Sequence, residues 1–187
     1  MQIIGVSGTN GGCGVTHFIW SAANYLSNVR KNRVAVCNLT DNQNYGQAKV
    51  ILGDKGVTDE FTHGHITFLA QADGSELPVL SEFYDYVFLD MGCDMGLADA
   101  FFLRCDRCFL IGDLSLWHSG STAAGALHVR EYWGKAPWVL TAFCTDAGMR
   151  YYQATTGESV GVIPFEPDPF CLHHDMLLFM ERIWKGE

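Results

Sequence analysis

Apolar residues follow two habits along this chain of 187 residues. Short, nearly unbroken apolar runs occupy residues 3–6, 33–40, 66–70, 84–89, 107–112, 137–143 and 160–164. Runs of that length read as strands covered on both faces. Between several of them apolar residues recur every third or fourth position. Phe18, Ala22, Leu26 and Val29 do so after the first run, and helical stretches are also expected over 46–52, 119–132 and 173–184. That spacing predicts helices with an apolar face, while 53–64 reads as turns. Strands interleaved with helices predict an α/β fold, a three-layer sandwich with a mainly parallel sheet. The length, with no repeat, low-complexity tract or linker, predicts one domain over 1–187. Ligands of such sheets sit beyond the carboxyl ends of the strands, where Gly8, Asn38 and Asp90 are expected to converge.

The first run leads into Thr9-Asn10-Gly11-Gly12-Cys13-Gly14-Val15-Thr16. A glycine-rich stretch between a strand and a helix lets successive backbone N–H groups point into one concavity, which attracts an anion. The spacing is that of a phosphate loop, but its two lysine positions hold Asn10 and Val15. Thr16 keeps the hydroxyl that holds Mg²⁺ in the motif, whereas Val15 offers a phosphate only its backbone N–H. The predicted phosphate site is therefore Asn10, Gly11, Gly12, Cys13, Gly14, Val15, Thr16 and His17. His17, at a helix start that favours the neutral imidazole, either donates to a phosphate or packs. Cys13 is either a thiol made reactive by loop N–H groups or a position without a role.

This loop resembles that of the deviant Walker A family of P-loop proteins, which includes the ParA and MinD ATPases and the pilus-assembly proteins TadZ and CpaE. The family pattern Lys-Gly-Gly-x-Gly-Lys-Thr aligns without a gap on residues 10–16. Three further landmarks follow in order. Residues 33–40 resemble the second strand, 84–92 the Walker B strand running into the switch loop, and 160–164 the late strand whose following loop borders the base. The resemblance implies a P-loop NTPase fold of the ParA/MinD type and ATP or ADP with Mg²⁺ as ligand. It further implies Thr16 and Asp90 at the metal, Pro164, Phe165 and Glu166 at the base, and a homodimer formed through the loop face. Asp90 equally suits a cap of the following turn, and residues 165–170 equally suit a fixed connection into the last helix.

Departures from the pattern bear on activity. Asn38 and Thr40 stand where the second strand should end in aspartates, and Thr141, Ala142 and Phe143 where a base-reading asparagine is expected. Phosphoryl transfer depends on positioning and on charge that stabilises the transferring group. Without both lysines and the water-orienting carboxylate, weak nucleotide binding and slow or absent hydrolysis are expected. The implied role is a scaffold or localisation module, similar in its degraded loop to TadZ and CpaE, with a partner in an envelope or pilus-assembly machine. The alternative is an ATP-dependent switch or slow ATPase whose missing charge comes from a partner or from Arg150. A third reading has the loop take another anion, such as a carboxylate or a small phosphate.

Charge and composition narrow these readings. A net charge of −9, with twelve Lys and Arg and no basic stripe, speaks against nucleic-acid binding and weakens attraction to anionic lipid. No apolar run reaches the roughly 18 residues of a membrane span, and Met1 leads straight into a strand. The expectation is a cytoplasmic protein without stable membrane insertion, peripheral to the membrane at most through a partner. Cys105 and Cys108 have C-x-x-C spacing without a matching pair and read as buried thiols, and Cys93 is out of step for an iron–sulfur ligand. No Fe–S cluster or Zn is expected. His63, His65, His173 and His174 read as surface residues. The last helix is apolar on more than one face, which suits a core helix or, alternatively, a partner contact.

Overall fold

The computed structural model describes residues 1–41, 43–53, 56–134 and 136–185. Its strands are β1 (Gln2–Gly8), β2 (Val34–Asn38), β3 (Glu60–His63), β4 (Ile66–Leu69), β5 (Tyr86–Asp90), β6 (Arg107–Leu114), β7 (Trp138–Cys144) and β8 (Gly161–Val162). They form one sheet in the order β3-β4-β2-β5-β1-β6-β7-β8. Every neighbouring pair is parallel except β3 with β4. The helices are α1 (Val15–Asn24), α2 (Asn44–Ile51), α3 (Leu77–Phe83), α4 (Met95–Phe101), α5 (Ser119–Trp133), α6 (Asp146–Thr156) and α7 (His174–Lys185).

Unbroken apolar runs are required because each strand feeds two cores. In β2, Val34 and Val36 pack in the layer with α1, α2 and α7, while Ala35 and Cys37 face the layer of α3, α4, α5 and α6. In β5, Phe88 joins the first layer, and Val87 and Leu89 the second. This is the alternation of a pleated strand with helices on both sides. The last helix is a core helix: Met176, Phe179, Met180 and Ile183 are buried. Trp184 sets its ring against Tyr86, Phe88 and Phe109 at centroid distances of 5.9, 6.1 and 5.9 Å.

Several expectations change. The first helix widens into a π turn over Tyr25–Val29, with Arg30 N–H donating to Tyr25 O at 3.1 Å. The wider turn carries Val29 off the apolar face, and it is exposed. The segment expected as turns contains β3, and its residues 54 and 55 lie outside the described residues. The late strand expected over 160–164 shrinks to Gly161–Val162. At a sheet edge only these two residues pair with β7, and Pro164 brings no N–H to continue the ladder. Helices α3, α4 and α6 were not expected from periodicity. Among the described residues no helix is long and apolar enough to cross a membrane.

Candidate functional site

β1 lies centrally, paired with β5 on one side and β6 on the other, so its carboxyl end is flanked by theirs. Gly8 N–H donates to Gly92 O (2.7 Å) and Thr9 N–H to Ile111 O (3.0 Å), which pins the start of the loop between the two neighbours. Gly12 at φ 79° and Gly14 at φ 103° take the left-handed conformation that turns the chain back into α1. A Cβ on Gly11, Gly12 or Gly14 would meet nothing within 4 Å, so the lip of the loop faces open space. No side chain caps α1, leaving its positive end to whatever occupies that space.

At the other wall stands Asp90, the last residue of β5 and fully buried. Its Oδ2 accepts hydrogen bonds from the Thr16 hydroxyl and the Tyr45 hydroxyl, each at 2.8 Å, and its Oδ1 from Gly92 N–H at 2.9 Å. Burial pushes the Asp90 carboxyl above its ordinary value, outweighing the opposing hydrogen bonds from Gly92, Thr16 and Tyr45. Thr16 gives its hydroxyl proton to Asp90, so it would meet a metal through its oxygen. A hydroxyl beside a carboxylate is a hard-oxygen pair that fits Mg²⁺, with water and phosphate supplying the other ligands. Tyr45, fully buried on α2, is a site residue that sequence reasoning missed; nothing in its neighbourhood distinguishes it from a core aromatic.

The solved structures resolve what this architecture is. The chain superposes on a chain of the MinC:MinD cell division protein complex of Aquifex aeolicus with a TM-score of 0.75 at 14% identity, covering 100% of this chain and 96% of that one. The cell division ATPase MinD of Pyrococcus furiosus gives 0.67 at 17%, covering 100% and 99%. A putative plasmid partition protein of Borrelia burgdorferi bound to AMPPNP gives 0.68 at 16%, covering 98% and 97%. The fold is that of MinD and ParA. No protein-family model and no curated protein matches the sequence.

The loop, residues 9–16, carries no lysine or arginine. The Asn10 side chain folds back onto the loop, its Oδ1 accepting from the Thr9 hydroxyl (3.0 Å) and its Nδ2 donating to Gly11 O (3.4 Å). Val15 is buried, its Cγ2 only 2.7 Å from where a Cβ on Gly8 would stand. Cations engaged elsewhere include Lys49 on Thr58 O, Arg33 on Asp85 and Arg130 on Glu158. Arg150 is exposed on α6. His17 Nε2 is a buried atom with no hydrogen-bond partner. Asn38 is buried and committed to the backbone, its Nδ2 donating to Ala70 O at 2.8 Å while its Oδ1 accepts from Thr40.

The expected base-binding residues divide. Pro164 follows β8, and the Phe165 ring is 89% exposed. Glu166 turns inward: its carboxylate accepts from His173 N–H and contacts His173 Nδ1, both at 2.7 Å. In this structure that carboxylate is spent on the connection into α7. His173 is accordingly part of a clamp in addition to lying at the surface. Burial raises the Glu166 pKa, but the hydrogen bonds from His173 together hold it below the ordinary 4.5. The stabilisation is therefore complete above about pH 4.5 and is lost as pH falls through the lower folded value. Glu166→Ala is expected to cost about 1–2 kcal/mol at neutral pH and much less in acid, measured by urea unfolding at both.

Proposed function

We propose that this chain is a degenerate MinD/ParA-like P-loop protein. It serves as a scaffold or localisation module that binds nucleotide weakly and does not hydrolyse it at a useful rate. The observation that carries this reading is the loop itself, with its concavity and its Thr16–Asp90 pair intact while Asn10 is folded back and Val15 is buried. Thr16 and Asp90 would hold Mg²⁺, and the backbone of residues 10–17 would hold the phosphates of ATP or ADP. When bound, the metal would neutralise phosphate charge; the chain itself would orient the phosphates through the backbone N–H groups of the loop. The loop without lysines supports a likeness in character to TadZ and CpaE, and the proposed partner in an envelope or pilus-assembly machine rests on that analogy.

Self-association through the loop face is supported by the side chains at that end of the sheet. Trp117 beyond β6, Phe143 near the end of β7 and Phe165 beyond β8 are exposed by 85%, 57% and 89%. Large exposed aromatics on one end are the usual raw material of an interface. A cytoplasmic location and the absence of a nucleic-acid partner fit a net charge of −9.

Calorimetry with Mg²⁺ and ADP or AMPPNP tests the proposal on the native chain and on Val15→Lys. The native chain should bind weakly, and the lysine variant at least about tenfold more tightly, equivalent to about 1.4 kcal/mol. Tight native binding, together with steady phosphate release when ATP and Mg²⁺ are supplied instead, would overturn it in favour of the alternative, an ATP-dependent switch. The retained Thr16–Asp90 pair is what speaks for that second reading.

A further inference from the structure

Two cysteines meet where the phosphate loop touches the loop after β5. A Cβ on Gly8 would stand 2.6 Å from Cys13 Sγ and 3.0 Å from Cys93 Sγ, so the missing side chain of Gly8 is what gives both sulfurs room at one spot. Cys93 has one proton and two acceptors in reach: the Asn10 carbonyl, to which it donates at 2.8 Å, and the sulfur of Cys13. Cys13 is buried, its thiol 3.3 Å from Ile111 O. Cys93 is exposed and lines an open cleft of about 370 Å³ together with Thr40, Asp41, Asp94 and Leu97.

We propose that Cys13 and Cys93 form a peroxide-oxidisable dithiol that closes to a disulfide, tying the phosphate loop to the loop that follows Asp90. The exposed partner meets the oxidant. Cys93, giving up its proton, attacks one oxygen of hydrogen peroxide; the O–O bond breaks, Cys93 becomes a sulfenic acid, and the departing hydroxide takes up the proton as water. Cys13 then attacks the sulfenyl sulfur, the S–S bond forms, and the displaced hydroxide leaves as a second water with the proton of Cys13. Both thiols are oxidised and one peroxide is reduced to two waters.

The resolving thiol is suited to its part. The hydrogen bond from Cys93 brings the Cys13 pKa down to about 7 against the effect of burial, with help from loop N–H groups, while the same bond and burial push the Cys93 thiol up, so Cys93 gives up its proton only in the act of attack. Other cysteines are differently placed. Cys37 is buried and pushed up to about 12, and Cys105 and Cys108 donate to the carbonyls of Phe101 and Phe102. Cys144 and Cys171 are exposed and serve as reference thiols. The inference does not depend on nucleotide binding.

The test is to treat the native chain with hydrogen peroxide, alkylate it after denaturation, and map the peptides by mass spectrometry. The expected result is a cross-linked Cys13–Cys93 peptide pair lighter by two hydrogens, loss of two of the seven thiols, and full reversal by dithiothreitol. In Cys13→Ser, Cys93 should instead be trapped by dimedone as the sulfenic acid. The proposal is overturned if Cys13 stays fully alkylatable while Cys93 proceeds to sulfinic acid, or if Cys93 pairs between molecules with Cys144 or Cys171. The native-chain map decides the matter even if the variant fails to fold.

Discussion

Asp90→Ala is expected to destabilise the chain by about 3–5 kcal/mol, because it takes away the acceptor shared by three donors at a fully buried position. The Thr16 hydroxyl, the Tyr45 hydroxyl and Gly92 N–H all end on this one carboxylate. Removing it takes that shared acceptor from all three beside a fully buried strand end. Part of the loss is returned, since the buried charge, whose pKa burial raises, disappears with it. Tyr45→Phe removes a single donor and leaves Asp90 with two, so about 1 kcal/mol is expected. Asp90→Asn should fall between, because an amide offers one oxygen where three donors converge and turns an N–H₂ toward one of them. Urea unfolding of the four proteins should give that order with unchanged slopes. If Asp90→Ala costs no more than Tyr45→Phe, the three-donor arrangement does not hold the site together, and the Mg²⁺ position loses its basis.

The same cluster shows how far the sequence could be read. Asp90 and Thr16 could be picked out because the phosphate-loop spacing and a strand ending in an acid are local patterns. Tyr45 could not, since a tyrosine in a short helix after the second strand looks like any core aromatic until its hydroxyl is seen on Asp90. The central strands were readable because each is apolar on both faces; β3 was not, because at the antiparallel edge only Phe61 is buried and its other positions are polar or partly exposed. Helix α6 escaped for a similar reason: apart from Gly148, Tyr152 and Thr156 it faces outward, so no apolar stripe announces it, and its start is marked only by the Thr145 cap on Gly148 N–H. Glu166 was expected beside a base, whereas its burial against His173 rests on a contact seven residues along a proline-rich loop, which no helix or strand period encodes. The meeting of buried Cys13 with exposed Cys93, far apart in the chain, comes from parallel pairing of β1 with β5, again invisible to local spacing.

Gly148→Ala is expected to be as damaging as the loss of Asp90, for a steric reason. A Cβ there would stand 1.9 Å from Leu114 O and 2.6 Å from Ser119 Oγ, against backbone and a short side chain that cannot swing away. α6 would have to lift from the end of β6. That carbonyl also accepts from Thr145 N–H at 3.1 Å and from the Thr145 hydroxyl at 3.2 Å, so lifting the helix strains its own cap. Overpacking of about 3 kcal/mol with about 1 kcal/mol of lost capping is the expected cost. Gly120→Ala is the control: its Cβ would approach only Tyr151 OH, at 3.9 Å, and in an exposed helical position alanine should stabilise by about 0.5–1 kcal/mol. Thermal unfolding of both variants separates the outcomes. A Gly148→Ala protein as stable as the native one would mean that α6 is not seated on the Leu114 carbonyl.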